Sequence, residues 1–516
     1  MSSIVEDRNR NVVPRWRSLS ATIQLGELNG KQAANLATRG ADEWHQERLQ
    51  TWLDRKDWIA ASDFVGGAIT IGRREEAVDA ARHILQDINA SQGARMVARV
   101  ALGLPLDHDR LNLPTDPVDA IRRLRERVIA NPKNPFIHSE LARQYTLLSQ
   151  IEPARKAMTI ALALSPRNRY LLRVGSRFFL HIGEHDRAHD ILTKSSLVAE
   201  DPWVLAAEIA TSLSVGRASK HVQRAKHMLS SSSFTRHSVS ELFSAVGTLD
   251  MTAGNPRFAK RSFKSALDDP TENAVAQAVW ADRQIGGISV SPEQLALPQS
   301  FEAQMWHHVA EHDWTSAYYS SVKWLDDQPF SSRPAIRASY LSVVALGDFK
   351  ACIETASRGI QANPTDTILL NNLVVGLSLS GEIQEAQANL ERLISLLGDG
   401  ESDVTALATT GLVRFRQGLA AEGRALYLKA VKHLESMGSH RQCLLARLFW
   451  AREERRADPQ GSTAFVNQVL DDARKDLTGE FSAFVAELEG KPQQLAPGAA
   501  ELKSWANQIS DGTVGP

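Results

Sequence analysis

Apolar residues recur at helical intervals along most of the chain. Between Phe136 and Ser165 they fall at Leu141, Tyr145 and Leu148, then at Ala154, Met158, Ala161 and Leu162. Those i, i+4 and i+7 steps mark the apolar stripes of two consecutive amphipathic helices. A short turn around Ser149 and Gln150 separates them, and sister positions carry Gly183, Gly347, Gly381 and Gly418. Glycine tolerates the left-handed backbone that ends a helix. Pro166 and Pro364 stop the second helix and open the next unit.

The pattern has a fixed period. Ala120, Ala154 and Ala188 lie 34 residues apart, and Leu124, Met158 and Leu192 follow at the same interval. Tyr145 with Phe179, Ser149 with Gly183, and Pro132 with Pro166 keep the phase. In the C-terminal half the period returns in Ile336 and Leu370, Val343 and Leu377, Gly347 and Gly381, Cys352 and Ala386, and Ala356 and Leu390. Ala225 with Ala259, and Leu229 with Phe263, add a third series. One helical hairpin cannot bury its own apolar face, so such units must stack.

These residues resemble the tetratricopeptide repeat family. The best copy carries Leu141, Ala142, Tyr145, Ala154, Met158, Ala161 and Pro166; the next carries Phe179, Gly183, Ala188 and Leu192. Another runs through Leu370, Leu373, Leu377, Gly381, Ala386 and Leu390, and a degenerate copy has Gly411, Gly418, Tyr427 and Ala430. The unit beginning at Trp203 departs from the pattern, with Gly216 where an aromatic is expected. The resemblance implies an all-α, right-handed superhelical solenoid of helix-turn-helix hairpins. It also implies a non-catalytic scaffold or adaptor that offers its concave face to another protein or a peptide. The expected organisation is an irregular arm over 1–40, a solenoid over 41–285, a joint over 286–300, a second solenoid over 301–489, and a loosely ordered tail over 490–516. Within the arm, Ser20 to Leu25 is the one strand-like run; Leu104 to Pro117 reads as loop.

Composition narrows the function. Of 516 residues, 59 are Lys or Arg and 60 are Asp or Glu, a formal charge of −1. Neutrality disfavours nucleic acid as the main partner, although a helical repeat reading RNA along its groove is the alternative class. Cys352 and Cys443 form neither a disulfide framework nor a usual zinc motif. The first ten residues lack an apolar signal core, and the apolar run Ile368 to Leu379 is short and broken by Asn371 and Asn372. The expectation is a cytoplasmic protein without membrane association or cofactor.

Several local patterns touch on chemistry. His308, Glu311 and His312 fit an inverted zinc-peptidase motif, but alignment with Gly347 and Asp348 puts His312 in an inter-helix turn. His181, His185 and His189 have helical spacing interrupted by Gly183. Gly26 to Gln32 is one residue short of a phosphate loop and lacks its Ser or Thr. Arg122, Arg123, Arg125 and Arg127 form a basic run on a helix with core face Val118, Ile121, Leu124 and Val128; they are a solvated face or a phosphate-binding one. Basic residues alternating around Trp16 between Arg8 and Arg17 make either a short recognition arm or an unpaired tail.

In tetratricopeptide arrays the first helix of each hairpin lines the concave surface. With Leu141 and Tyr145 on the packed side, Arg143 points away from it. Arg177 follows 34 residues later, with Arg173 one turn before. These three arginines are the candidate partner-binding residues, either holding an acidic segment by paired charge-assisted hydrogen bonds or standing as solvated surface.

Overall fold

The computed structural model describes residues 10–18, 41–70, 73–87, 90, 92–104, 116–230, 234–398 and 403–491. Ser20 to Leu25, the Gly26 to Gln32 loop, most of Leu104 to Pro117 and the tail beyond 491 lie outside them. The chain is 76% helix, and the described residues contain no strand.

Near the N-terminus α1 (Ala41–Arg55), α2 (Trp58–Thr70), α3 (Val78–Gln86) and α4 (Gln92–Ala101) enclose their own apolar cluster, which includes Trp52, Phe64 and Ile84. The array proper begins with α5 (Pro117–Ala130), followed by hairpins α6 (Pro135–Leu147) with α7 (Ile151–Leu164) and α8 (Arg169–His181) with α9 (His185–Thr193). It continues with α10 (Pro202–Ser214) and α11 (Val222–Ser230), then α12 (Arg236–Thr252) and α13 (Pro256–Ala266). Next come α14 (Glu272–Ile285), the one-turn α15 (Pro292–Leu295), α16 (Phe301–Ala310) and α17 (Trp314–Asp327). The C-terminal hairpins are α18 (Ser332–Val344) with α19 (Phe349–Ala362), α20 (Thr367–Ser380) with α21 (Ile383–Leu397), and α22 (Val404–Arg416) with α23 (Ala420–Ser436). The array closes with α24 (His440–Ala457), α25 (Thr463–Ala473) and α26 (Ser482–Leu488).

The 34-residue period has a local cause at each end of the first helices. Asn134, Asn168, Asp201, Thr235, Thr271, Asp366 and Asp403 each cap one, the side chain accepting a backbone N–H of the first turn. At the other end the chain turns through a left-handed residue: Ser149, Gly183, Gly216, Gly254, His312, Gly347, Gly381 or Gly418. Ala154, Ala188, Ala225, Ala259, Ala317, Cys352 and Ala386 on the second helices are all fully buried, which lets the two helices of a hairpin close together. The hairpins are therefore tetratricopeptide-like in sequence position as well as in form. Val118 is a correction: it is 58% exposed, so the core face of α5 is Ile121 and Leu124, with Val128 partly covered.

First helices stack on first helices. α8 touches α10, α10 touches α12, α12 touches α14 and α14 touches α16; further on α18, α20, α22 and α24 make a second such row. The stretch 286–300, read as a joint, lies between directly packed neighbours α14 and α16, and its Ile288 is buried. The array also meets itself: α6 touches α19, and Phe330 and Ala362 share one apolar cluster with Ile121, Leu141 and Phe178. The inner helices thus surround a channel.

Candidate functional site

The channel has an occupant from the same chain. Residues 10–18 run through it without helix or strand. Trp16 is fully buried, its ring 5.8 Å from that of Phe178 on α8 and 5.4 Å from that of Phe330. Val12, 1% exposed, joins the cluster of Leu172, Val204 and Leu205. Main-chain carbonyls are gripped as well: Asn273 donates to Val13 O at 3.0 Å, Gln277 to Arg10 O at 2.7 Å, and the Tyr170 hydroxyl to Arg17 O at 3.2 Å.

Among the described residues, three carboxylates receive the guanidiniums of Arg10, Arg15 and Arg17. Arg10 forks onto Glu302 with two 2.9 Å bonds and reaches Gln277 and Asn273. Arg15 donates to the same Glu302 at 2.9 Å and stands 3.8 Å from Asp327. Arg17 forks onto Asp327 at 2.6 and 2.9 Å and donates to Glu272 at 2.6 Å. Bidentate guanidinium–carboxylate pairs of this kind are the stronger ones and fix orientation. Glu272 and Glu302 stand in the first turns of α14 and α16, where the helix dipole favours negative charge. Burial opposes ionisation of Glu272, yet Arg17 and Arg15 hold its carboxyl down at about 2. Burial likewise works against Glu302, and Arg10, Arg333 and Arg15 outweigh it, leaving the carboxyl well below its usual range. The basic stretch is expected as a recognition arm or an unpaired tail; residues 10–18 are instead docked within their own chain, with hydrogen-bond partners 153 to 310 positions away.

The three candidate arginines do not share one open face. Arg143 on α6 is 8% exposed and lies 3.4 Å from Glu140 on its own helix. Arg173 on α8 donates to Glu241 of α12 at 2.6 Å and lies over the Trp203 ring. Each keeps a buried Nε–H without an acceptor among the described residues. Arg177 differs. Its guanidinium lies 5.0 Å from the Phe330 ring centre, lines a cavity of about 550 Å³, and meets no carboxylate among the described residues. Burial, aided by Arg333, pulls its pKa down to about 10. Burial also lowers neighbouring His181 to about 4, Arg177 contributing.

The remaining motifs separate. His308 stands in the last turn of α16, while His312 has φ +57° in the following turn and stacks on Trp314, so no ligand helix runs through both. Gly183, at φ +77°, divides His181 from His185 and His189. Arg122, Arg123 and Arg127 are exposed, whereas Arg125 donates to the Tyr145 hydroxyl at 2.8 Å. Both cysteines are buried, and burial pushes the Cys352 thiol up to about 12. No described helix is long and apolar enough to cross a membrane. Sequence reasoning missed Glu272, Glu302, Asp327 and Phe330, because only the folded array brings them to one place.

Among solved structures the chain is similar to the yeast Tom70, at 14% identity over 78% of this chain and 97% of that one, with a TM-score of 0.27. It is also similar to the APC/C hetero-tetramer Cut9–Hcn1, at 13% identity over 91% of this chain and 88% of that one, with a TM-score of 0.41. No family model and no curated protein matches the sequence.

Proposed function

We propose that the protein is a non-catalytic, cytoplasmic interaction scaffold whose channel receives an extended segment of a partner protein. One observation carries this reading. The channel holds residues 10–18 by the means an extended peptide requires: a pocket for an aromatic side chain, carboxylates for guanidiniums, and donors for main-chain carbonyls. A segment of like chemistry from a partner would exchange with the arm. The narrower expectation of an acidic partner group on Arg143, Arg173 and Arg177 rests best on Arg177, since Glu140 and Glu241 already engage the other two.

The test uses the full-length protein, tagged and purified from its native cells with whatever it binds. A synthetic peptide spanning residues 10–18 should then release the bound protein from the immobilised complex, and a scrambled peptide should not. Equal release by both peptides, or RNA as the principal co-purifying species, would overturn the reading.

A further inference from the structure

The contacts between the channel and its arm are of two kinds. Bonds to the carbonyls of Arg10, Val13 and Arg17 suit any extended backbone, so they add grip without selection. Selection comes from the side chains, and the demanding positions are Arg10, Val12, Trp16 and Arg17.

Trp16 is fully buried between Phe178 of α8 and Phe330 of the turn between α17 and α18. A pocket walled by two aromatic rings suits a flat, wide side chain, and an aliphatic residue would leave part of it empty. Arg17 lays Nε and Nη2 on the two oxygens of Asp327 and Nη1 on Glu272. Arg10 lays the same pair of nitrogens on the two oxygens of Glu302. A guanidinium presents parallel N–H groups in that geometry; a lysine ammonium is a point charge and cannot. Val12 sits in the aliphatic cluster of Leu172, Val204 and Leu205. These anchors stand on different elements, α8 and α10 for Val12 and α14 and α17 for Arg17, so spacing and chain direction are both constrained.

We propose that the channel is a receptor for a partner protein's extended segment built on Arg–Trp–Arg, with an aliphatic residue four positions before the tryptophan and an arginine six before it. Residues 10–18 are a tethered copy of that ligand and compete for the channel. This rests on the channel reading and deepens it, naming the partner's chemistry and giving the arm a regulatory part. Charge complementarity supports the choice. A neutral or acidic segment would leave Glu272, Glu302 and Asp327 without the guanidiniums they receive from the arm. Tethering makes the competition intramolecular, so apparent affinity for a free segment falls with the fraction of molecules whose arm is out.

The experiment reads labelled peptides by fluorescence anisotropy on the full-length protein, wild type beside Arg17→Glu, whose arm loses its fork on Asp327. The parent peptide, residues 10–18, is expected to bind Arg17→Glu at least about tenfold more tightly than wild type. On that variant, the peptide carrying Trp16→Leu and the peptide carrying Arg17→Lys should each bind at least about tenfold more weakly than the parent, and a reversed-sequence peptide should not compete. If Arg17→Glu is too unstable for anisotropy, Trp16→Ala replaces it and the peptides are ranked by the Tm rise each produces. Equal affinity of the parent peptide for wild type and variant would mean that the arm is no competitor, and equal affinity of parent and substituted peptides would mean that the channel selects nothing; either overturns the inference. A wild-type protein that dimerises with concentration, the dimer being lost in Arg17→Glu, places a second copy's arm in the channel and overturns it as well. A channel whose native partner is released equally well by the parent, leucine and lysine peptides, but not by the scrambled one, sinks this inference and leaves the channel reading standing.

Discussion

At the scale of single residues the channel behaves as a set of charges held in a poorly solvated place, and pH is the lever that reads them. His181 stays neutral in the fold because burial and Arg177 hold its pKa near 4, against an ordinary value of 6.5. The unfolded chain therefore binds a proton that the folded one refuses between those two values. Stability is full above about pH 6.5 and falls as pH drops toward 4. His181→Gln removes the titrating group, so its Tm should decline less steeply than wild type over that window. Parallel Tm–pH curves for the two proteins would contradict the assignment. Trp16 provides the apolar counterpart. It is fully buried between Phe178 and Phe330, and Trp16→Ala should cost roughly 3–5 kcal/mol, read as a shift in the denaturant midpoint.

At the scale of helices and hairpins, close approach is set by what stands at one position of each second helix. Alanine or cysteine fills it in most units, and in the hairpin of α22 and α23 the place belongs to Gly423. A Cβ there would lie 2.4 Å from the Phe415 ring and 2.9 Å from the Gly411 carbonyl oxygen, so Gly423→Ala should overpack the pair by about 1–3 kcal/mol. The turns allow a change of opposite sign. Ser149 sits at φ +54° where neighbouring units use glycine, and Ser149→Gly should raise stability by about 1 kcal/mol. Thermal melts of the two variants should move in opposite directions; equal shifts would mean the register is wrong. This scale was readable in the sequence because its causes are local: caps, turn glycines and small residues recur within each unit of about 34 residues. Even the fate of Arg143 was within reach, since Glu140 stands one turn before it. Arg173 was not, because Glu241 is 68 residues away and arrives only through the stacking of α8, α10 and α12.

At the scale of the whole molecule the arm and the array form a single charge system. No periodicity marks Arg10, Arg15 and Arg17 as core residues, and their carboxylates lie between 255 and 310 positions further along the chain. Their pairing is a property of the closed array, visible only once α6 meets α19 around the channel. Removing residues 1–18 should therefore do more than shorten the chain. Asp327 and Glu272 would keep their buried positions and lose Arg17, while Glu302 would retain only Arg333 among its guanidiniums. Breaking one partner out of a buried pair typically costs about 3–5 kcal/mol, so the truncated protein should melt well below wild type at neutral pH. The size of that deficit should depend on pH in a definite direction. With the arm docked Glu272 titrates at about 2, against 4.5 for the ordinary group, so its contribution is complete above 4.5 and disappears as pH falls toward 2. The two melting curves should approach one another as the solution is acidified through that window. Added peptide spanning residues 10–18 should restore much of the deficit at pH 7 and little of it near pH 2. A truncated protein that melts with wild type at neutral pH would show that the arm's pairs are dispensable to the array.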